Sequence, residues 1–257
     1  MPGAEGPPAE LLPWDSEFFG RRIGRVVEEP FTAETAARVD RWAEENEADC
    51  LYLVVPADNE FGIRAAEDNG FRLVEIRIAM RRPRGPFPWD RLGQDPREVT
   101  IRHSRQEDVP DLRRIAAGTY RDSRFSVDPN FPRDKVGEFY ATWVEKCTEG
   151  YQGESVIVSE VAGRVNGFIT FAEEPNKVGR ISLIAVDPEL MTSALGSRVS
   201  HQLVLEAQRR VDRDKLEMHC ATQGRNVRAQ RFIQRYGYYT EAVLIYFHKW
   251  YERGQAA

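Results

Sequence analysis

Cysteine and histidine, the side chains best suited to nucleophilic catalysis and metal binding, lie in patterns that argue against both. The cysteines form no CxxC pair and the histidines fit no HExxH motif, so neither a zinc site nor a disulfide framework is expected. His219 and Cys220 are neighbours on a predicted strand, where successive side chains point to opposite faces, which disfavours a Cys–His acyl relay. We expect no metal cofactor, and the unpaired cysteines predict a cytoplasmic, reducing setting. The residues concerned are Cys50, Cys147, Cys220, His103, His201, His219 and His248.

The overall charge of the chain excludes a further class of function. Acidic residues number 41 against 36 Lys and Arg, which gives a net charge of −5. Such a chain is not suited to neutralising many phosphates of a nucleic acid, so no nucleic-acid partner is expected. No apolar run approaches the roughly 18 residues that span a membrane, and the N-terminus lacks the segments of a signal peptide. We therefore expect no membrane partner either.

The elements that position the polar residues repeat once along the chain. The sequence CLYLVVPADN ends at Asn59, and KLEMHCATQGRN ends at Asn226. A glycine, Gly70 or Gly237, follows eleven residues after each asparagine. Asparagine is a favoured helix N-cap, and a glycine just past the helix ends it. Both copies therefore predict strand, helix, strand, and the shared spacing favours duplication of a domain core.

Composition along the chain predicts three parts. Residues 1–10 are rich in Pro, Gly and Ala and predict a flexible tail. Residues 81–98 contain four prolines and two glycines, which predict a linker or crossing loop. We place a boundary near residue 95, between a small N-terminal α/β domain (11–95) and a larger domain (96–257).

The larger domain predicts the element order β-α-α-β-β-β-α-β-α-β, with ISLIAV as an apolar strand at the sheet centre. This order, the segment ISLIAVDPEL…GS and the segment NVRAQRFIQRYGY resemble the GNAT superfamily of acyl-CoA-dependent acetyltransferases. The resemblance implies an α/β (α+β) fold, with a mixed central sheet flanked by helices and a smaller GNAT-like N-terminal half. It also implies an acetyltransferase that uses acetyl-CoA.

The resemblance assigns a CoA-binding role to the turn after ISLIAV. Backbone N–H groups at the start of a helix would face the pyrophosphate, and an N–H near Ala185–Val186 would polarise the thioester carbonyl. Asn226 would contact the pantetheine arm, with a simple helix cap as the alternative. The implied CoA-binding residues are Ala185, Val186, Met191, Thr192, Ser193, Ala194, Leu195, Gly196, Ser197 and Asn226.

The sequence departs from the family pattern at two places. Met191 and Thr192 stand where an Arg-Gly pair is expected, so an ordinary strand–turn–helix connection without a ligand is an open alternative. Ile233 stands where the family often has a tyrosine that protonates the leaving thiolate. Tyr236, one turn further along the same helix face, is the predicted proton donor, with core packing as its alternative.

The acceptor side rests on a closer resemblance within the superfamily. The segments WDSEFFG, SRF, EFYATW and ATQGRN resemble members that pair a GNAT-like half with a full GNAT domain and acetylate a nucleotide-linked amino sugar. Arg124, Thr222 and Gln223 are the implied acceptor-binding residues. Glu173, at the end of FITFAEE, would act through water as the base, with a solvated glutamate as the alternative.

Three functions follow from the sequence. The first is an N-acetyltransferase acting on a small-molecule amine, either as a monomer or as a homodimer. The second is a GNAT-fold protein that has lost catalysis and serves as a binding or scaffold domain, as Met191, Thr192 and Ile233 would suggest. The third is an acyltransferase that uses another acyl-CoA or an acyl carrier protein.

Overall fold

The computed structural model describes residues 6–85, 99–175, 177–210 and 216–251. In these ranges the chain forms a mixed ten-stranded sheet with helices on both faces. The strands are β1 (Ala9–Leu11), β2 (Ile23–Val26), β3 (Cys50–Pro56), β4 (Arg72–Arg82), β5 (Thr100–His103), β6 (Ser155–Val161), β7 (Arg164–Glu174), β8 (Val178–Val186), β9 (Glu217–Gln223) and β10 (Tyr239–Trp250). The helices are α1 (Pro13–Phe19), α2 (Ala33–Glu45), α3 (Glu60–Asp68), α4 (Val109–Thr119), α5 (Arg124–Val127), α6 (Arg133–Thr148), α7 (Ala194–Arg210) and α8 (Val227–Gln234).

The strand order interleaves the two halves of the chain. It runs β1-β2-β3-β10-β4-β9-β8-β7-β6-β5. The last strand, β10, pairs with both β3 and β4, and β4 in turn pairs with β9. Each half therefore contributes its final strand to the neighbourhood of the other. The boundary expected near residue 95 lies outside the described residues.

The predicted repeat is present as two strand–helix–strand units with matching caps. The side chain of Asn59 accepts a hydrogen bond from the Gly62 N–H at 2.9 Å, and that of Asn226 accepts from the Ala229 N–H at 3.0 Å. Past the helices, Gly70 and Gly237 have φ angles of 77° and 80°. This left-handed backbone favours glycine and ends each helix before the next strand begins.

Two expectations about irregular segments need correction. Ala9 and Glu10, expected in a flexible tail, belong to β1 and pair with β2. Backbone hydrogen bonding to a neighbouring strand orders this segment despite its composition. Arg81 and Arg82, expected in the linker, extend β4 and pair with β9. Residues 86–98 of the linker lie outside the described ranges.

Two apolar clusters cover the opposite faces of the sheet around β6 to β9. Val158 and Phe168 pack under α4 and α6, in a face that we call the α4–α6 face. Their neighbours Ile157 and Ile169 pack under α7 on the other side, the α7–α8 face. This alternation is that of a sheet buried on both sides. No helix within the described ranges is long and apolar enough to cross a membrane.

Candidate active site

A wedge opens between the parallel strands β8 and β9 at the centre of the sheet. The strands pair only from Val178 to Arg180 and from Glu217 to His219. Beyond these residues β8 continues to Val186, and β9 continues without pairing to it. The edges that line the wedge therefore carry backbone N–H and C=O groups with no ladder partner across it. Such groups are available to the amide groups of an extended ligand.

A β-bulge shapes the β8 side of the wedge. In the β7–β8 ladder Ile169 pairs with Ile184, but Phe171 pairs with Ile181, so β8 has one extra residue. The Leu183 N–H, freed from the ladder at the bulge, donates to the Thr170 hydroxyl at 3.1 Å. The bulge bends β8 where it separates from β9. Ala185 and Val186, the predicted CoA contacts, lie beyond it on the separated part of β8.

The turn after β8 is packed around a carbonyl group. The Leu190 carbonyl accepts from the Ser193 N–H at 2.9 Å and from the Ser193 hydroxyl at 2.7 Å. The Ser193 hydroxyl in turn accepts from the Gly196 N–H at 3.0 Å. A Cβ at position 196 would lie 2.0 Å from the Leu190 oxygen, so only glycine fits this turn. Ser197 closes it, since its N–H donates to the Ser193 carbonyl at 3.2 Å.

This packing leaves three backbone N–H groups at the start of α7 without an acceptor among the described residues. They belong to Thr192, Ala194 and Leu195. Free N–H groups at the start of a long helix form a site for a phosphate or pyrophosphate. The substitutions that seemed unfavourable in the sequence therefore leave the backbone donors in place.

Arg228 is a residue of this turn that sequence reasoning missed. Its Nη2 donates to the Met191 carbonyl at 2.6 Å. The sequence lacks the arginine expected in the turn, but an arginine from α8 lies beside the turn. The signal that could have found Arg228 in the sequence was its position two residues after the helix cap Asn226. A cation beside the free N–H groups reinforces a site for a phosphate.

Tyr236, the predicted proton donor, lies on the α7–α8 face. It is 1% exposed, and its hydroxyl lies 2.7 Å from Nδ1 of His201 on α7. Burial raises the pKa of the phenol above its ordinary value. Ile233 packs in the same cluster as Val186, the last residue of β8. Tyr236 therefore packs in the same apolar cluster as the end of β8, but its hydroxyl is hydrogen-bonded to His201.

The predicted acceptor residues of β9 project to opposite faces. Gln223 is paired with Arg77 of β4, and Thr222 with Ile78. Residues that face each other in a ladder share a face of the sheet. Ile78 packs on the α7–α8 face, so Thr222 points there and Gln223 points to the α4–α6 face.

Glu173 lies at the closed end of the wedge. It pairs with Gly179 in the β7–β8 ladder and is exposed. Gly179 precedes Ala185 by six residues, a distance of about 20 Å along a strand. The neighbouring Glu174 is ion-paired to Arg180. Glu173 therefore lies far from Ala185 and Val186 at the open end of the wedge.

Arg124 lies on the α4–α6 face, beside residues of the N-terminal half. Its guanidinium carbon stands 4.9 Å from the ring centre of Tyr52 on β3 and 5.4 Å from that of Tyr246 on β10. Its backbone N–H donates to Glu75 of β4 at 3.0 Å. Sequence reasoning missed Glu75 and Arg77, which the interleaved strands bring to this place beside Tyr246. Across the described part of the chain, no group of three His, Cys, Asp or Glu side chains is placed to hold a metal.

Comparison with known proteins agrees with this architecture. A family model described as the acetyltransferase (GNAT) family matches residues 111–238. The chain is 27% identical over 234 residues to a dTDP-fucosamine acetyltransferase of Escherichia coli, which covers 88% of this chain and 91% of that protein. It is 26% identical over 140 residues to the spore coat polysaccharide biosynthesis protein SpsD of Bacillus subtilis, which covers 53% of this chain and 45% of that protein.

Solved structures share the fold at low sequence identity. A tandem GNAT protein from the clavulanic acid biosynthesis pathway has a TM-score of 0.60 and 11% identity, and covers 92% of this chain and 77% of that chain. A GCN5-related N-acetyltransferase from Sphaerobacter thermophilus has a TM-score of 0.62 and 13% identity, and covers 96% of this chain and 77% of that chain. The resemblance and the mixed α/β fold predicted from the sequence are confirmed, and residues 111–238 form a GNAT acetyltransferase domain.

Proposed function

We propose that the protein transfers an acetyl group from acetyl-CoA to the amine of a nucleotide-linked amino sugar. The observation that carries the proposal is the wedge between β8 and β9, which runs beside a turn with three free N–H groups. The E. coli relative, matched over most of both chains, is a dTDP-fucosamine acetyltransferase. This relative supports a sugar amine as the acceptor.

The residues of the chain fit the donor. The N–H groups of Thr192, Ala194 and Leu195 would bind the pyrophosphate of CoA, and Arg228 would add its charge. The free backbone edges of β8 and β9 would pair with the amide groups of the pantetheine arm. A backbone N–H near Ala185–Val186 would stabilise the oxyanion as the amine attacks.

The reaction requires that one proton leaves the amine and one reaches the departing sulfur. The nitrogen bonds to the thioester carbonyl carbon, the C–S bond breaks, and CoA leaves as a thiolate. We assign the return of a proton to Tyr236, with His201 at 2.7 Å to resupply its phenol. Glu173, the predicted base, would take the amine proton only through a chain of waters, because it lies about 20 Å from Ala185 along β8.

Acceptor binding is assigned to the α4–α6 face. Arg124 beside β3 and β10 and Gln223 at the end of β9 would bind the acceptor from this side, while Thr222 would approach the donor from the other. The three cysteines Cys50, Cys147 and Cys220 are all free, which is consistent with a reducing cytoplasm. We therefore propose that the reaction takes place in the cytoplasm.

A thiol-release assay tests the proposal. Wild-type protein is incubated with acetyl-CoA and a nucleotide-linked amino sugar, and free CoA is measured over time. Release should depend on the acceptor and should stop when its amine is replaced by an acetamide. Release no faster than spontaneous hydrolysis, with every amino sugar nucleotide offered, would contradict the proposed function.

A further inference from the structure

The guanidinium of Arg124 is held in place without a counter-charge in contact. It makes no side-chain hydrogen bond or ion pair with a described residue, and its Nε is buried without a partner. Aromatic rings hold it instead, with Phe125 at 4.5 Å and Tyr52 at 4.9 Å from the guanidinium carbon. The Arg124 guanidinium has five N–H donors, is held in place by stacking and has no hydrogen-bond partner among the described residues, so it is suited to binding an anion.

A second arginine stands beside it on β4. The Nη1 of Arg77 donates to the Tyr246 hydroxyl at 3.1 Å, and the ring of Tyr246 also lies under Arg124. The Nε of Arg77 is buried without a hydrogen-bond partner, and Glu75 is 3.9 Å away from it. Tyr246 therefore contacts both arginines, one through its hydroxyl and the other through its ring.

The acidic groups nearby leave the pair able to bind an anion. One oxygen of Glu75 accepts from the Arg124 backbone N–H and not from its guanidinium. Asp15 of α1 faces Arg124, and burial raises the pKa of its carboxyl above the ordinary value while the charge of Arg124 opposes the rise. Neither carboxyl makes a hydrogen bond or an ion pair with the Arg124 guanidinium among the described residues, so the N–H groups of Arg124 remain available to an anion.

The distance of the two arginines from the wedge indicates which part of the acceptor carries the anion. Arg77 is opposite Gln223 at the open end of β9. One strand spacing separates β4 from β9, and the wedge lies on the far side of β9, so Arg77 is about 10 Å from the acyl position. This separation suits a sugar whose amine enters the wedge while its diphosphate remains outside.

We propose that Arg77 and Arg124, both in contact with Tyr246, bind the diphosphate of the acceptor, so that the N-terminal half and β10 supply acceptor recognition. The inference rests on the proposed function, because it identifies the part of the acceptor that this site holds. It explains the interleaving of strands, since β3, β4 and β10 together carry Tyr52, Arg77 and Tyr246 to the acceptor side. The two arginines are binding residues and take no part in proton transfer.

Calorimetric titration with a nucleoside diphosphate, dTDP, tests the inference without catalysis. Arg77→Met and Arg124→Met should each weaken dTDP binding by tenfold or more, and Arg124→Lys should weaken it too because the planar fork is lost. Arg64→Met is the matched control. This arginine is exposed on α3 and 3.9 Å from Glu60, and its replacement should change nothing. Acetyl-CoA affinity should be the same in all variants.

Two results would overturn the inference. One is an unchanged dTDP affinity in Arg77→Met and Arg124→Met, both with normal acetyl-CoA binding. The other is the absence of dTDP binding to the wild type at millimolar concentration. If Arg124→Met fails to fold, the half-exposed Arg77 decides alone. Failure of the proposed function is a separate outcome, because a wild type that binds dTDP but releases no CoA would contradict acetyl transfer and leave the anion site standing.

Discussion

Replacement of Gly196 by alanine should disable the proposed CoA-binding turn, residues 190–197, while leaving the fold intact. The added Cβ would lie 2.0 Å from the Leu190 oxygen, whereas real contacts of this kind are at least 3.0 Å. Both atoms are held by backbone, one in α7 and the other in the turn. The turn must therefore move by about 1 Å or more.

The cost in affinity follows from the contacts that the movement breaks. The Leu190 carbonyl holds Ser193, and Ser193 holds the Gly196 N–H, so a shift of this size ends both hydrogen bonds. The free N–H groups of Thr192, Ala194 and Leu195 then lose their common direction. A hydrogen bond to a charged group is worth about 1.5–3 kcal/mol. Loss of one such bond weakens acetyl-CoA binding by about 10- to 150-fold.

Isothermal titration with acetyl-CoA measures the effect, and Gly163→Ala is the control. Gly163 lies in the β6–β7 turn with a φ of 77° and open space around its Cα. An alanine there costs about 1–2 kcal/mol of stability through its left-handed backbone. It should not change acetyl-CoA affinity. Equal acetyl-CoA affinity in Gly196→Ala and wild type would refute the assignment of the turn.

Two further predictions concern buried polar pairs. Tyr236→Phe should lower the turnover number by about ten- to a hundredfold with unchanged acetyl-CoA affinity, because only the proton donor is removed; steady-state kinetics that match wild type would exclude Tyr236 as the donor. Burial lowers the pKa of His248 from 6.5 to about 4, so the unfolded chain binds more protons there and the free energy of unfolding falls as the pH drops from 6.5 toward 4. Burial opposes ionisation of Asp128, but hydrogen bonds from His248 and Trp250 lower its pKa to about 2, which extends the loss from pH 3.8 downward. Urea unfolding across this range should show a flatter pH dependence in His248→Gln, and parallel curves for variant and wild type would contradict the assignment.

Local features of the fold could be predicted from the sequence because they depend on neighbouring residues. The caps at Asn59 and Asn226 and the left-handed Gly70 and Gly237 are decided within a few residues. The central strand ISLIAV was recognisable by its apolar run, which only Ser182 interrupts. These elements sufficed to indicate the family.

The exchange of strands could not be predicted because it depends on non-local pairing. Either β4 or β10 has a pattern that would pair beside β9, and no local signal selects β4. The acceptor cluster depends on that choice, since Arg77 and Tyr246 are 169 residues apart in the chain. Arg124 was predicted from its motif, but its partners were not.

The turn after β8, residues 190–197, could not be assessed from its side chains alone. Met191 and Thr192 suggested a lost ligand site because the side chains departed from the expected pattern. The proposed site uses backbone N–H groups, whose directions depend on the Leu190–Ser193–Gly196 contacts. Side-chain identity at positions 191 and 192 says little about those directions.

Titration of the wild type with acetyl-CoA is the decisive measurement, because every assigned role depends on a donor bound in the wedge and at the 190–197 turn. We expect saturable binding with a dissociation constant of about 1 μM or lower, near −8 kcal/mol. Free CoA should compete for the same site, since the pyrophosphate contacts are shared. The absence of any heat or competition at millimolar acetyl-CoA would contradict the account.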